Sequence, residues 1–117
     1  MSLFKYSRFY RKYNNNTVLV FLRCFDNQLT TLYLSHNVAL QNLWCNSNQL
    51  TTLDVTNNTN LLYLECQDNL LTYEALNTLF GTLNAKPVVK NIYIESNLGT
   101  STCDTSIATE KAWIVHI

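Results

Sequence analysis

The chain has 117 residues and a formal net charge of zero, with 47% hydrophobic but only 14% charged residues. Its length suits one domain with a modest core, and the balanced charge does not favour a nucleic-acid partner. Two Gly and one Pro exclude a flexible linker and a collagen-like chain, and no apolar run is long enough to span a membrane. Asn, Thr and Ser carry much of the polarity, which indicates hydrogen bonding to backbone groups.

The segment 1–17 differs in character from the rest of the chain. The basic residues that precede the first acid, Asp26, are Lys5, Arg8, Arg11, Lys12 and Arg23. We expect residues 1–17 to form an irregular segment, a degenerate cap or a tail, rather than a membrane-surface arm, because they lack a clean amphipathic stripe. The run TVLVFL is too short for a convincing signal peptide, and Arg23 does not fit a small-residue cleavage site.

A 21-residue repeat dominates the middle of the chain. The aligned positions are Leu22, Leu43 and Leu64; Cys24, Cys45 and Cys66; Asn27, Asn48 and Asn69; and Leu29, Leu50 and Leu71. The second half of the unit aligns Leu32 with Leu53, Leu34 with Val55, Asn37 with Asn58, and Leu40 with Leu61. A period of this length with this leucine pattern is typical of a leucine-rich solenoid.

Each unit contains two near-copies of a shorter pattern. LQNLWCNSNQL and LTTLDVTNNTNL are both versions of L-x-x-L-x-L-x-x-N. The alternation of Leu with Cys or Val predicts a short strand with one buried face in each half. The sequence therefore predicts an α/β solenoid over residues 18–71, with short parallel strands on both sides of each coil and the Leu, Val and Cys side chains inside.

A helix and a capping repeat are predicted for residues 72–117. TYEALNTLFGTL has helical spacing, with Thr72 as a cap; its expected apolar face comprises Tyr73, Leu76, Leu79 or Phe80, and Leu83. VVKNIYIESN then returns to the repeat, with Ile92, Ile94 and Asn97 in the Leu, Cys and Asn roles. We expect Asp104 to cap a short final helix and Trp113 to pack in the core of the cap.

The pattern LxCxxNQLTTLDVxxNxxL resembles the bacterial leucine-rich repeat proteins with nested 21-residue units, common on the surfaces of Bacteroides-type bacteria. The resemblance covers about residues 18–117, and the end of the chain resembles the C-terminal cap of that family. It implies a right-handed superhelix and an extracellular or cell-surface location. Relatives usually have Pro where Leu98 and Thr105 stand, and often Gly where Ala112 stands.

The repeated Cys and Asn residues are interpreted as structural. We expect the small thiols to fill a narrow interior space, and the amides to pair with backbone groups that the turns leave unpaired; these residues are Cys24, Cys45, Cys66, Asn27, Asn48, Asn69, Asn37 and Asn58. The Cys spacing matches no zinc pattern, and His36 has no catalytic partner nearby in sequence. No metal, cofactor or enzymatic activity is therefore expected.

Aromatic and polar residues on the outward face of the Cys-bearing strands form the candidate binding surface. They are Phe21, Arg23, Asn42, Trp44, Tyr63, Glu65 and Tyr93. One hypothesis is a binding module for a protein or glycan; the alternative is a structural or capping fragment of a longer repeat protein without independent activity. The aromatic residues could equally cover the edges of the fold or meet a neighbouring molecule, and self-association through the N-terminal coil is also expected.

Overall fold

A computed structural model describes residues 15–117, so most of the predicted N-terminal segment lies outside the described residues. The elements are strand β1 (Phe21–Arg23), strand β2 (Asn42–Trp44), strand β3 (Tyr63–Glu65), helix α1 (Tyr73–Thr82), strand β4 (Lys90–Tyr93), helix α2 (Ser106–Thr109) and strand β5 (Trp113–His116). All five strands belong to one sheet, in the order β1-β2-β3-β4-β5. Each neighbouring pair is parallel.

The register of the sheet follows the sequence repeat. Leu22 lies beside Leu43, and Leu43 lies beside Leu64. The row continues through Ile92 to Val115, although the spacing there departs from the period of the repeat. Since neighbouring residues on a strand point to opposite faces, this register gives the sheet one inward row of aliphatic side chains. The residues on either side of that row face outward.

The core combines the repeat with helix α1. The repeated Leu and Cys residues are buried, and Leu76, Leu79 and Phe80 of α1 are buried with them. Burial of one such aliphatic side chain stabilises a fold by about 1.5–3 kcal/mol. Trp113, in the last strand, is 2% exposed and belongs to the same core, as the sequence predicts.

The predicted strands on the opposite side of each unit do not form. Within the described part of the chain, no strand covers residues 31–35 or 52–56. The bonds that join neighbouring units here come from asparagine side chains: Asn57 Nδ2 donates to Ser35 O at 3.1 Å, and Asn60 Nδ2 donates to Val38 O at 3.2 Å. Leu and Val still point inward on this side, so the alternation of the sequence is real. The backbones of neighbouring units do not pair here, and the sequence pattern alone does not reveal this.

Helix α1 begins where the sequence predicts. The Thr72 hydroxyl accepts a hydrogen bond from Ala75 N at 3.2 Å, which satisfies one of the free N–H groups of the first turn. Tyr73, assigned from its spacing to the apolar face, is exposed instead. It is the first residue of the helix, outside the part that packs on the core. Leu83, just after the helix, is buried as predicted.

Two lysines hold the C-terminal end of α1. Lys111 Nζ donates to the carbonyl oxygens of Phe80, Gly81 and Leu83 at 3.2, 2.7 and 3.1 Å. The last carbonyls of a helix lack partners in the helix and carry its negative dipole end, so a cation is favoured there. Lys90 is fully buried beside them, and its Nζ donates to Asn84 O and Lys111 O at 3.0 and 2.8 Å. Burial, reinforced by the nearby lysines, lowers the pKa of Lys90.

At the corner after each of strands β1 to β4, one residue has a left-handed backbone conformation. Asp26, Ser47, Asp68 and Ser96 have φ near 56°, and each directly precedes an asparagine of the repeat. Ala112, just before β5, also has a positive φ, of 67°. A side chain in this region carries a steric cost that glycine avoids.

Gly99 and Gly81 offer a matched test of how closely the backbone after β4 approaches the start of helix α1. A Cβ atom at Gly99 would overlap Tyr73 N and Thr72 C, whereas nothing lies within 4 Å of the corresponding point at Gly81. We predict that Gly99→Ala lowers the free energy of unfolding by at least about 2 kcal/mol, because backbone atoms must shift. Gly81→Ala should be neutral or stabilising by up to about 1 kcal/mol, since alanine favours a helix. Urea denaturation measures both, and equal effects would contradict the predicted close approach.

Candidate functional site

The side chain of Asn48 joins two neighbouring repeat units. Its Oδ1 accepts from Leu29 N at 3.1 Å, and its Nδ2 donates to Cys24 O and Cys45 O, both at 3.0 Å. Cys24 and Leu29 belong to the preceding unit, while Cys45 belongs to the unit of Asn48. The chain turns at this corner, so these backbone groups cannot pair in a regular strand ladder. One buried amide pairs them instead.

The same arrangement recurs in the next two units. Asn69 accepts from Leu50 N at 2.9 Å and donates to Cys45 O and Cys66 O at 3.1 Å. Asn97 accepts from Leu71 N at 3.1 Å and donates to Cys66 O at 3.0 Å. We call Asn48, Asn69 and Asn97 the asparagine ladder. Asn27 stands at the corresponding position in the first unit and donates within that unit, to Cys24 O and Phe25 O at 2.9 and 3.1 Å.

Asn37 and Asn58 bridge units on the side away from the sheet. Asn58 Nδ2 donates to Leu34 O and Asn37 O at 3.0 and 2.9 Å, and Asn37 Nδ2 donates to Asn16 O at 2.9 Å. Both side chains are buried. Asn58 therefore makes two bonds where Asn48 makes four, counting its third donation, to Asn46 O at 3.2 Å.

The three repeated cysteines are buried free thiols. Cys45 Sγ and Cys66 Sγ each lie 3.4 Å from a carbonyl oxygen of the next strand, that of Glu65 and that of Tyr93. Burial raises the pKa of Cys24 to about 12 and raises the pKa values of Cys45 and Cys66 well above the ordinary value. A thiol that stays protonated is a poor nucleophile and a poor metal ligand, so these residues suit packing rather than chemistry.

A continuous row of aromatic rings crosses the outward face of the sheet. We call it the aromatic row: Phe21, Trp44, Tyr63, Tyr93 and His116. Ring centroids are 6.5 Å apart for Phe21 and Trp44, 5.6 Å for Trp44 and Tyr63, and 5.4 Å for Tyr63 and Tyr93. Tyr93 and His116 stack at 4.1 Å with an angle of 7° between their planes. The five strands thus carry one chain of ring contacts, each in the range of favourable aromatic pairs or closer.

Charged and polar side chains flank the aromatic row. Arg23 Cζ lies 4.5 Å from the centroid of the Trp44 ring, a cation–π contact. The Glu65 carboxylate accepts from Tyr63 Oη at 2.6 Å and from Gln67 Nε2 at 2.8 Å. Burial and this bond to Glu65 raise the pKa of Tyr63, so its hydroxyl remains a donor. At the far end, His116 Nε2 lies 2.9 Å from Asn91 Oδ1.

The structure brings the sequence-predicted surface residues together. Arg23, Trp44, Glu65 and Tyr93 lie in one register row across the strands. Phe21, Asn42 and Tyr63 form the row beside it. Phe21 is 37% exposed, and the other rings of the aromatic row are half-buried. Their faces are therefore partly covered by each other and partly open to a ligand.

His116 is the member of this surface that the sequence reasoning missed. The alternation in WIVH could have revealed it, because Trp113 and Val115 point inward and Ile114 and His116 must then point outward. Its separation from Tyr93 along the chain differs from the repeat period, so the periodic alignment does not reach it. His36, the other histidine, is exposed.

Metal binding and membrane insertion are two further possibilities for a chain of this size. Among residues 15–117, no group of three or more His, Cys, Asp or Glu side chains is placed to hold a metal ion. Neither helix in these residues has the length and apolar character that a membrane crossing requires.

The asparagine ladder predicts an order of stability losses. Asn48→Ala leaves backbone groups of two units without partners, and we expect it to cost roughly 1–3 kcal/mol of unfolding free energy. Asn58→Ala, which removes two bonds, should cost less. Thermal melts of both variants measure the difference, and two unchanged melting temperatures would rule out the ladder as a source of stability.

The buried thiols predict a loss of stability at alkaline pH. In the unfolded chain each cysteine ionises near its ordinary pKa of 9.0, whereas burial keeps it protonated in the folded protein. The stability that the protonated thiols contribute is therefore complete below pH 9. As pH rises above 9, the free energy of unfolding falls by about 1.4 kcal/mol per pH unit for each thiol. The lowered pKa of Lys90 acts in the opposite direction above its folded-state value, but the raised pKa values of Cys103 and Tyr63 act in the same direction as those of the three buried thiols.

Urea denaturation under reducing conditions between pH 8 and pH 11 measures this slope. Cys45→Ala should make the slope shallower by the share of one thiol, in addition to any cost at neutral pH. An identical slope in the wild type and in Cys45→Ala would show that the thiols do not cause it.

The aromatic row lies on the outward face of the sheet, and the asparagine ladder lies at the corners that follow its strands. No protein-family model matches the sequence, and no curated protein matches it either. The function is therefore inferred from the side chains on the sheet face and the repeat that positions them.

Proposed function

We propose that the chain is a non-enzymatic leucine-rich repeat module, built as a right-handed solenoid of nested 21-residue units. The parallel strands in sequence order and the register of Leu22, Leu43 and Leu64 support this proposal. So does the recurrence of the same side-chain bonds at Asn48 and Asn69, one unit apart. The segment from α1 to β5 would then serve as the C-terminal cap.

The module binds a protein or a glycan through the aromatic row, and it acts at the bacterial cell surface. The continuity of the row over five strands is the observation that carries this proposal. Five strands at a spacing of about 4.8 Å give a platform about 19 Å long, which suits an extended ligand lying across them. Aromatic faces bind apolar surfaces of sugars and side chains, and Arg23 and Glu65 add charged hydrogen-bonding groups beside them. The cell-surface location rests on the sequence resemblance.

A structural role is the second candidate, and the ring contacts themselves favour it. Each ring of the aromatic row packs on its neighbour, and an aromatic pair contributes about 0.5–1.5 kcal/mol beyond its buried area. The row would then hold neighbouring units together without a ligand. In that case the chain is a structural or capping fragment of a longer repeat protein.

Trp44→Ala separates the two candidates. Trp44 lies near the middle of the platform and contacts Phe21, Arg23 and Tyr63. A central aromatic residue can supply about 2 kcal/mol or more of binding free energy, so the variant should bind at least about 30-fold more weakly. Its unfolding free energy should fall by only about 1–2 kcal/mol, because a half-exposed ring leaves no core cavity.

The measurement begins with wild-type protein on a glycan array and a protein array. Saturable hits are then titrated against Trp44→Ala and the control Tyr73→Ala, which removes an exposed ring on α1. Tyr73→Ala should bind like the wild type. A large stability loss or a changed oligomer in Trp44→Ala, with binding unchanged, would instead support the structural role.

A further inference from the structure

Strand β5 is the last strand of the sheet, and its outer edge is open. Ile94 N donates to His116 O at 3.0 Å, so the backbone groups of His116, and of Ile114 two residues earlier, point toward β4. Those of Trp113, Val115 and Ile117 therefore point away from β4. Within residues 15–117, no backbone partner reaches Trp113 O, the N–H and C=O groups of Val115, or Ile117 N. Free donors and free acceptors thus alternate along this edge.

The same backbone positions are paired in the earlier strands. In β2, Gln41 O accepts from a residue of β3 at 3.1 Å, and Cys45 N donates to a residue of β3 at 2.9 Å. The parallel register places Gln41 and Cys45 at the positions of Trp113 and Ile117. The outer edge of β5 therefore has the backbone geometry to pair with one more strand.

The side chains of β5 do not protect this edge. Natural sheet edges are commonly blocked by Lys, Pro or a bulge, whereas the segment WIVHI, residues 113–117, contains no Pro, Gly, Lys or acidic residue. The nearest lysine, Lys111, directs its Nζ toward the carbonyl oxygens at the end of α1. Ile114 and Ile117 are exposed, and Val115 points inward but is only partly buried. Apolar side chains therefore lie beside the free backbone groups.

The free groups of this strand are complementary to those of a second copy. In an antiparallel pair centred on Val115, each Val115 N–H donates to the Val115 C=O of the other chain, and each Ile117 N–H donates to the other chain's Trp113 C=O. Every free group named above then has a partner. Val115 lies opposite Val115, Trp113 opposite Ile117, and Ile114 opposite His116, so no two side chains of like charge face each other.

We propose that β5 pairs with β5 of a second copy of this chain, which joins the two sheets into one continuous sheet. The same patch is used by both copies, so the assembly closes as a two-fold dimer. Its axis is perpendicular to the sheet, which places both aromatic rows on the same side. Ile114 and Ile117 lose contact with water, and Val115 is covered by its counterpart. The dimer does not depend on a ligand of the aromatic row.

Sedimentation velocity of the full-length chain measures the association. One pair of short strands buries little area, so we expect a reversible dimer with a Kd of roughly 1–100 µM. The mass should rise from monomer to dimer as the concentration is raised from about 1 µM to about 1 mM, and it should stop there.

Amide hydrogen exchange followed by NMR locates the interface. The N–H groups of Val115 and Ile117 should exchange several-fold more slowly at a concentration above the Kd than at one below it, because only the dimer gives them partners. The N–H group of Ile114, which faces β4, should exchange at nearly the same rate at both concentrations.

Two variants and a matched control make the test specific. Ile114→Lys places a cation on the outward face of each β5, near its counterpart across the axis, and should weaken dimerisation at least about tenfold. Val38→Lys adds the same charge in the turn before β2, at a residue that is 46% exposed against 50% for Ile114, and should leave the Kd unchanged. Val115→Pro removes an N–H group that faces away from β4, so it should abolish the dimer while the ladder within the chain stays paired.

The proposal is overturned if the wild type stays a monomer over the whole concentration range. A mass that rises past the dimer also overturns it, since that indicates open-ended head-to-tail growth. Equal effects of Ile114→Lys and Val38→Lys would trace the association to overall charge. A dimer in which Val115 and Ile117 exchange as fast as in the monomer uses another surface, and slow exchange of both groups in the monomer means that residues 1–14 cover the edge. Either result rejects the pairing of β5 with a second copy.

Discussion

The amide side chain at the corner of each repeat is the interaction on which this molecule depends. A chain that turns sharply after a short strand leaves N–H and C=O groups that no regular ladder can pair. The asparagine ladder pairs them: one oxygen accepts from the preceding unit, and one NH₂ group donates to both units. The two donor hydrogens and the acceptor oxygen of one side chain suit this task, which a Ser or an Asp could perform only in part.

The strand register that the corners fix also determines which side chains lie on the outward face of the sheet. Leu43 and Cys45 are fixed inside, so Trp44 must lie outside, and its neighbours in adjacent strands are chosen by the parallel pairing. The aromatic row is therefore a consequence of backbone pairing rather than of attraction between rings. The side away from the sheet has no such pairing, and there asparagine side chains bridge neighbouring units instead.

Sequence reasoning succeeded where the period was regular and where local rules apply. The parallel strands, their register and the start of helix α1 at Thr72 follow from spacing and capping. It predicted strands at 31–35 and 52–56 wrongly, because an alternating pattern shows which side chains are buried but not whether backbones pair. His116, Lys90 and Lys111 were missed, since they stand outside the repeated Leu, Cys and Asn positions and their partners lie far along the chain.

The hydrogen bonds of the asparagine ladder all run in the same direction along the chain. Asn48, Asn69 and Asn97 each reach back toward the unit before them, so a unit's buried acceptors are completed only by the unit that follows. Cys66 O, the last carbonyl in this series, depends on Asn97 in the C-terminal segment. Opening the C-terminal end therefore leaves backbone groups, Leu71 N and Cys66 O, with fewer partners, whereas opening the first unit leaves the side chain of Asn48 with fewer partners. The two ends of the repeat therefore lose different kinds of hydrogen-bond partner when they fray: backbone groups at the C-terminal end, and a side-chain amide at the first unit.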